Sequence, residues 1–154
     1  MLLQKTLLNL VAAGIAPIVL LIRWLPNVFD ALFYQQYRYY DFQVETLGEF
    51  LYLVYGETYV LFFILSLTLL FLPFQFIKDF YRKNGESRML TFPRKWVLLT
   101  LIFLGWVLFS GSFLNVWWHP LYKNLIYIVY AGGFSLIFTT FFHYTLDRYE
   151  NRKV

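Results

Sequence analysis

The sequence predicts an all-α integral membrane protein with four transmembrane helices. Two long runs, Tyr59–Ile77 and Trp96–Phe113, contain no charged residue. A bilayer core of about 30 Å is crossed by about 20 helical residues, so each run is long enough to span it. The composition agrees, because 60% of the 154 residues are hydrophobic and 14% are charged, whereas about 25% are charged in average soluble domains.

Two further apolar stretches complete the set. We expect spans at about residues 7–25, 59–77, 96–115 and 121–142 of a single membrane domain, 1–154. Arg23 lies close enough to the end of the first span to extend its charge into the lipid head groups. The first stretch follows Lys5 and could be a secretory signal, but no small-x-small cleavage site follows the apolar run before Pro26. We therefore expect it to remain as an uncleaved anchor.

The basic residues are distributed unevenly between the segments outside the spans. Ten of the 13 fall with the N-terminus, the segment between the second and third spans, and the tail: Lys5, Lys78, Arg82, Lys83, Arg88, Arg94, Lys95, Arg148, Arg152 and Lys153. Arg23, Arg38 and Lys123 fall on the other side. Cytoplasmic segments carry the excess of Lys and Arg, which predicts that both termini face the cytoplasm or the mitochondrial matrix. The net charge of +4 therefore indicates topology rather than nucleic-acid binding.

The segment between the first two spans has an amphipathic pattern at residues 42–55. Its apolar residues recur at intervals of three and four: Leu47, Phe50, Leu51 and Val54. They predict a helix at the outer interface that ends at Gly56. Tyr37 and Tyr40 precede it, and tyrosine favours surfaces that are partly apolar and partly wet. We expect these six side chains to dock on a protein partner, with insertion among lipid head groups as the alternative.

Residues that could carry chemistry are sparse. The chain has no cysteine, and its two histidines, His119 and His143, stand 24 positions apart, or about 36 Å along a helix. They cannot both ligate one haem or metal ion. No serine has a His or Lys at membrane depth to act as a base, and no phosphate-binding or zinc-protease motif occurs. The sequence therefore predicts a protein that is not an enzyme and that has no cofactor or metal, only lipid contacts.

Small residues within the spans indicate where helices approach each other. They are Ala12 and Ala16 in the first span, Gly105 and Ser112 in the third, and Gly132, Gly133, Ser135 and Thr139 in the fourth. Lipid provides no hydrophobic drive between helices, so close contact through small residues favours association. We expect the third and fourth spans to pack as a hairpin. Pro17 and Pro73 should kink the first and second spans.

Residues 128–138 read Ile-Val-Tyr-Ala-Gly-Gly-Phe-Ser-Leu-Ile-Phe. This run resembles the third helix of the NuoJ-type membrane subunit of respiratory complex I, whose pattern is an apolar pair, Tyr-x-Gly-small and, three residues on, Leu-Phe. The resemblance implies a π-bulge in this helix and a position near the coupling pathway of a respiratory complex. Three predicted spans precede the run here, whereas two precede it in that family.

Together these features predict a non-catalytic integral subunit that assembles into and stabilises a larger membrane complex, which the resemblance implies is respiratory. Its partners would be other integral membrane subunits and lipids, in a bacterial inner membrane or a mitochondrial inner membrane. A small oligomeric channel or carrier is the alternative, although no ionisable residue lies at mid-depth in any predicted span.

Overall fold

The computed structural model describes residues 2–39, 42–85, 91–109 and 121–147. The chain forms two compact units, one of Met1–Leu10 with Leu67–Val154 and one of Val11–Ser66. Among the described residues, four helices are long and apolar enough to cross a membrane: Leu2–Leu20, Leu47–Lys83, Phe92–Phe109 and Leu125–Asp147. The predicted all-α class and the presence of four candidate spans are therefore confirmed.

The N-terminal helical region is longer than the first predicted span. Helix α1 (Leu2–Leu20) contains Pro17 and leads through a 3-10 turn into helix α2 (Leu25–Tyr34). Gln35, with a φ of 55°, follows α2 in the left-handed region that commonly terminates helices. A two-residue antiparallel hairpin follows, β1 (Arg38–Tyr39) with β2 (Phe42–Gln43).

The second long helix begins at a capped turn. The hydroxyl of Thr46 accepts a hydrogen bond from the Glu49 backbone N–H at 3.2 Å, which satisfies one of the free donors of the first turn. The helical backbone then continues through five consecutive segments: α3 (Leu47–Leu51), a π turn (Tyr52–Glu57), α4 (Thr58–Leu65), a π segment (Ser66–Phe71) and α5 (Leu72–Lys83). Pro73 is the second residue of α5, directly after the π segment, and its missing N–H removes one backbone hydrogen bond from this continuous helix.

Gly56 does not end this helix, so the predicted boundary there is wrong. It lies inside the π turn, where a Cβ atom would approach the ring of Tyr52 to 3.3 Å. Glycine at this position lets the Tyr52 ring lie against the backbone. The helix instead ends at Asn84 and Gly85, whose φ of 73° suits a glycine after a helix.

The third and fourth candidate spans pack against each other, as the sequence predicts. They are α6 (Phe92–Phe109) and α7 (Leu121–Phe142), and a π turn (His143–Asp147) extends α7. The stretch 128–138 lies entirely within regular α-helix, so the π-bulge implied by its resemblance is absent there. The π turn comes five residues later.

An aromatic core joins the second long helix to α7. Phe71 packs against Phe138 and Phe142 with ring centroids 5.0 and 5.4 Å apart, and Phe74 lies 5.9 Å from Phe142. All four rings are buried. Each such aromatic pair contributes about 0.5–1.5 kcal/mol beyond its buried area. Phe71 and Phe74 of the second long helix and Phe138 and Phe142 of α7 therefore form one core.

Two tryptophans form hydrogen bonds to backbone carbonyls of neighbouring helices. The indole N–H of Trp96 on α6 donates to the carbonyl of Gly132 on α7 at 2.9 Å. That of Trp106 donates to the carbonyl of Leu69 at 2.7 Å. Pro73, four residues after Leu69, has no N–H to donate to this carbonyl, which leaves it available to a neighbouring helix.

The predicted packing residues divide into two groups. Ala12, Ala16, Ser135 and Thr139 are buried. Gly105, Gly132 and Gly133 are not sites of close backbone approach, because a Cβ atom added at any of them would meet nothing within 4 Å. Ser112 lies outside the described residues. Ala131, next to Gly132, is fully buried on α7, as is Ser135.

Substitutions at Ala131 and Gly132 should therefore differ in effect. Ala131→Leu should destabilise the protein by about 1–3 kcal/mol, because it inserts bulk into a filled position. Gly132→Ala should be neutral or stabilising by up to about 1 kcal/mol, because alanine costs less backbone entropy in a helix. Thermal unfolding of each variant in mild detergent measures the difference. Equal losses for the two variants would contradict this assignment of the packing face.

Candidate functional site

A buried charged cluster lies where α5, α6 and the π turn after α7 meet. Lys78 donates to Asp147 Oδ1 at 3.1 Å, and Lys95 bonds Asp147 Oδ2. The side chain of Lys78 is 1% exposed, that of Lys95 is 5% exposed and that of Asp147 is 4% exposed. Each carboxylate oxygen therefore has its own lysine, and each lysine comes from a different helix. We refer to Asp147 and the basic side chains around it as the Asp147 cluster.

Two partly exposed residues border this cluster. His143 Nδ1 lies 3.3 Å from Lys95 Nζ and 3.7 Å from Asp147 Oδ2. In the tautomer that accepts at Nδ1, the imidazole receives a hydrogen bond from Lys95. Arg82 lies 3.9 Å from Asp147 Oδ1 and is one-third exposed. The open side of the cluster is therefore basic among the described residues.

Sequence reasoning missed this cluster. The sequence analysis used Lys78 and Lys95 only as topology signals, and His143 only as one of two histidines too far apart to share a metal ion. One available signal was the position of Asp147, because an acid beyond an apolar helix can reach lysines that flank neighbouring spans. Charges buried near membrane depth are rare and are paired.

The Asp147 cluster links three helices through hydrogen bonds between charged groups. Both oxygens of the carboxylate already accept hydrogen bonds from ammonium groups, so the cluster holds three helix ends together. Removing one partner from a buried ion cluster is far more harmful than replacing the whole cluster with apolar side chains.

Loss of Asp147 should be much more costly than loss of Asp79, which pairs with Lys5 at 2.8 Å but is 36% exposed. Asp147→Asn should destabilise by about 3–5 kcal/mol, because it leaves two buried lysines without their carboxylate. Asp79→Asn should cost at most about 1 kcal/mol. Chemical denaturation in detergent micelles measures both values.

The combined variant Lys78→Met/Lys95→Met/Asp147→Leu provides a further check. It should recover most of the stability lost in Asp147→Asn, because no buried charge is left without a partner. If Asp147→Asn and Asp79→Asn lower the free energy of unfolding by the same amount, Asp147 does not hold the three helix ends together.

The predicted docking face of the second helix is largely occupied within its own unit. Phe50 and Val54 are fully buried and form a core with Leu21 and Ala31. The other described members of the predicted set pack half-buried against that core: Tyr37, Leu47 and Leu51. Tyr40 lies outside the described residues. The amphipathic pattern therefore marks a face that this chain covers itself, and the docking function of the segment stays a prediction.

Two tyrosine hydroxyls secure this unit. Tyr59 donates to the carbonyl of Gly14 at 2.6 Å, which ties the second helix to α1. Tyr39 of the hairpin lies 2.7 Å from the hydroxyl of Thr58. Thr58 also donates to the carbonyl of Leu53 within the π turn. Tyr39 and Tyr59 therefore both form hydrogen bonds within their own unit.

A different surface of the same unit remains apolar and uncovered. Its members lie on α2 and are 52–69% exposed: Phe29, Leu32, Phe33 and Tyr34. The ring of Phe29 lies 4.5 Å from that of Phe33 and 6.3 Å from that of Tyr34, so the three rings form one patch. We call this set the α2 aromatic surface.

Among residues 2–39, 42–85, 91–109 and 121–147, no group of three or more His, Cys, Asp or Glu side chains is arranged to hold a metal ion. No protein-family model matches the chain, and no curated protein and no solved structure matches it.

Proposed function

We propose that this protein is a non-catalytic, multi-pass membrane subunit that docks on a larger membrane complex through the α2 aromatic surface. The observation that carries the proposal is the exposure of Phe29, Phe33 and Tyr34 as one patch beside a fully buried core. Aromatic residues are enriched at protein interfaces, and contiguous exposed apolar patches mark interaction sites. This unit also has a filled core of its own, so it can present the patch without unfolding.

The membrane placement rests on the four apolar helices and on the distribution of charge. Lys78 and Lys95 are buried with Asp147, so we remove them from the comparison of the two sides. The count then changes from ten to eight basic residues on the side of the termini, against three on the other. The asymmetry persists and supports an arrangement with both termini in the cytoplasm or matrix. A bacterial or mitochondrial inner membrane fits this arrangement.

The resemblance at 128–138 lends the proposal no support for a respiratory complex in particular. The backbone there is regular α-helix, without the π-bulge that the resemblance implies. The proposal therefore concerns membrane-complex assembly in general.

Single cysteines test the topology, since the chain has none of its own. Gln36→Cys and Asn84→Cys replace exposed residues on segments that the proposal places on opposite sides. A membrane-impermeant maleimide added to intact cells should label Gln36→Cys, and Asn84→Cys should react only after the membrane is opened. Labelling of both before opening would contradict the topology.

Partner loss tests the docking surface. Phe29→Ser/Phe33→Ser removes two exposed rings, so the chain should still fold while its partners dissociate. Phe80→Ser is the matched control, because Phe80 is 55% exposed and lies in the other unit. Native electrophoresis after extraction in mild detergent should show partner loss for the double variant alone. Retention of every partner by the double variant would remove the docking role.

One observation favours the alternative, a small oligomeric channel or carrier. Ser135 and Thr139 are buried, and their hydroxyls have no hydrogen-bond partner within the described residues. They lie at four-residue intervals with His143 and Asp147, so polar side chains follow α7 for 12 residues, or about 18 Å. If the purified chain alone conducts a solute or protons into liposomes, and Thr139→Val abolishes that flux, this alternative replaces the subunit proposal.

A further inference from the structure

An open groove lies between α1 and the second long helix, within one compact unit. Its volume is about 610 Å³, within the range of about 300–1,000 Å³ that is usual for small-molecule sites. Leu72 and Phe76 provide apolar walls, and Thr6 lines the opposite side from α1. Asn9 and Gln75 also line it.

The two amides form a buried pair with unused capacity. Each residue is 5% exposed, and Gln75 Nε2 donates to Asn9 Oδ1 at 3.3 Å. The other Gln75 atom, Oε1, is buried and has no hydrogen-bond partner among the described residues. A buried acceptor without a donor is costly. Gln75 lines the groove, so a ligand hydroxyl or N–H group bound there would supply the donor that Oε1 lacks.

An ion pair lies one helical turn from the amides. Lys5 Nζ lies 2.8 Å from both carboxylate oxygens of Asp79. Asn9 follows Lys5 by four residues and Gln75 precedes Asp79 by four, so the ion pair and the amide pair are two successive contacts between antiparallel helices. Their separation along the axis is about 6 Å. The wall continues away from the charges to Thr68, about 16 Å from Asp79.

We propose that this groove binds a single-chain glycerolipid with a free hydroxyl at the central glycerol carbon. The phosphate and ammonium of a zwitterionic head would meet Lys5 and Asp79, which offer one charge of each sign. The central hydroxyl, one carbon from the phosphate ester carbon, would donate to Gln75 Oε1. The acyl chain would lie along Leu72 and Phe76 toward Thr68.

The orientation of this ligand rests on the membrane placement in the proposed function, with Lys5 and Asp79 at head-group level. The binding itself does not depend on docking to a partner. Loss of lipid binding and loss of partners through the α2 aromatic surface are therefore separate failures.

A matched pair of lipids tests the hydroxyl. The full chain, purified in dodecyl maltoside, is mixed with hexadecyl lysophosphocholine or with the same lipid methylated at its central oxygen. Native mass spectrometry measures the bound fraction. The hydroxyl lipid should bind about tenfold more tightly, because the methyl ether leaves Gln75 Oε1 buried and unpaired.

Two variants and a control assign the effect to the groove. Gln75→Leu should bind both lipids alike, whereas Gln4→Leu, the same change at an exposed site on α1, should keep the preference. Thr6→Trp starts from an exposed residue and should block both lipids by filling the groove, which tests the site even if Gln75→Leu fails to fold.

Equal binding of the two lipids by the native chain would overturn the proposal. So would an unchanged preference in Gln75→Leu. If Thr6→Trp keeps both lipids but loses a co-purifying protein, the groove holds a protein segment and the lipid proposal is wrong.

Discussion

The buried carboxylate of Asp147 is the constraint on which one of the two units depends. It must be paired to remain charged away from water, and its two oxygens are met by lysines from two other helices. The three helix ends can therefore separate only by exposing or orphaning a buried charge.

The π turn at His143–Asp147 explains how this carboxylate reaches the interior. Phe142 ends the regular part of α7 and faces the aromatic core beside Phe71. In an α-helix, a residue five positions later would point well away from that face. The wider π turn, with bonds to the fifth residue, brings Asp147 back toward it. Lys78 follows Phe74 by one α-helical turn, so the aromatic core and the ion cluster are successive layers of the same interface.

Elements that depend on local pattern could be predicted from the sequence, and those that depend on pairing between distant segments could not. The uncharged runs identified the second and third spans, and small residues correctly suggested the pairing of α6 with α7. Gly132 was misleading because a glycine shows that close approach is possible, not that it occurs. Lys78, Lys95 and Asp147 each look like ordinary boundary residues, and only their convergence from positions 17–69 residues apart reveals a cluster. The spacing of residues within one helix does not predict which residues of other helices lie beside them.

The amphipathic segment shows the same limit in another form. Its pattern correctly identifies one apolar face. The periodicity predicts that this face is buried, but it does not predict which residues bury it. Here Phe50 and Val54 are covered by Leu21 and Ala31 of the same unit. The inward use of that face leaves the rings of α2 uncovered, and α2 begins at the last residue of the first predicted span. The buried face therefore holds α2 in place, and α2 carries the exposed rings of the proposed docking surface.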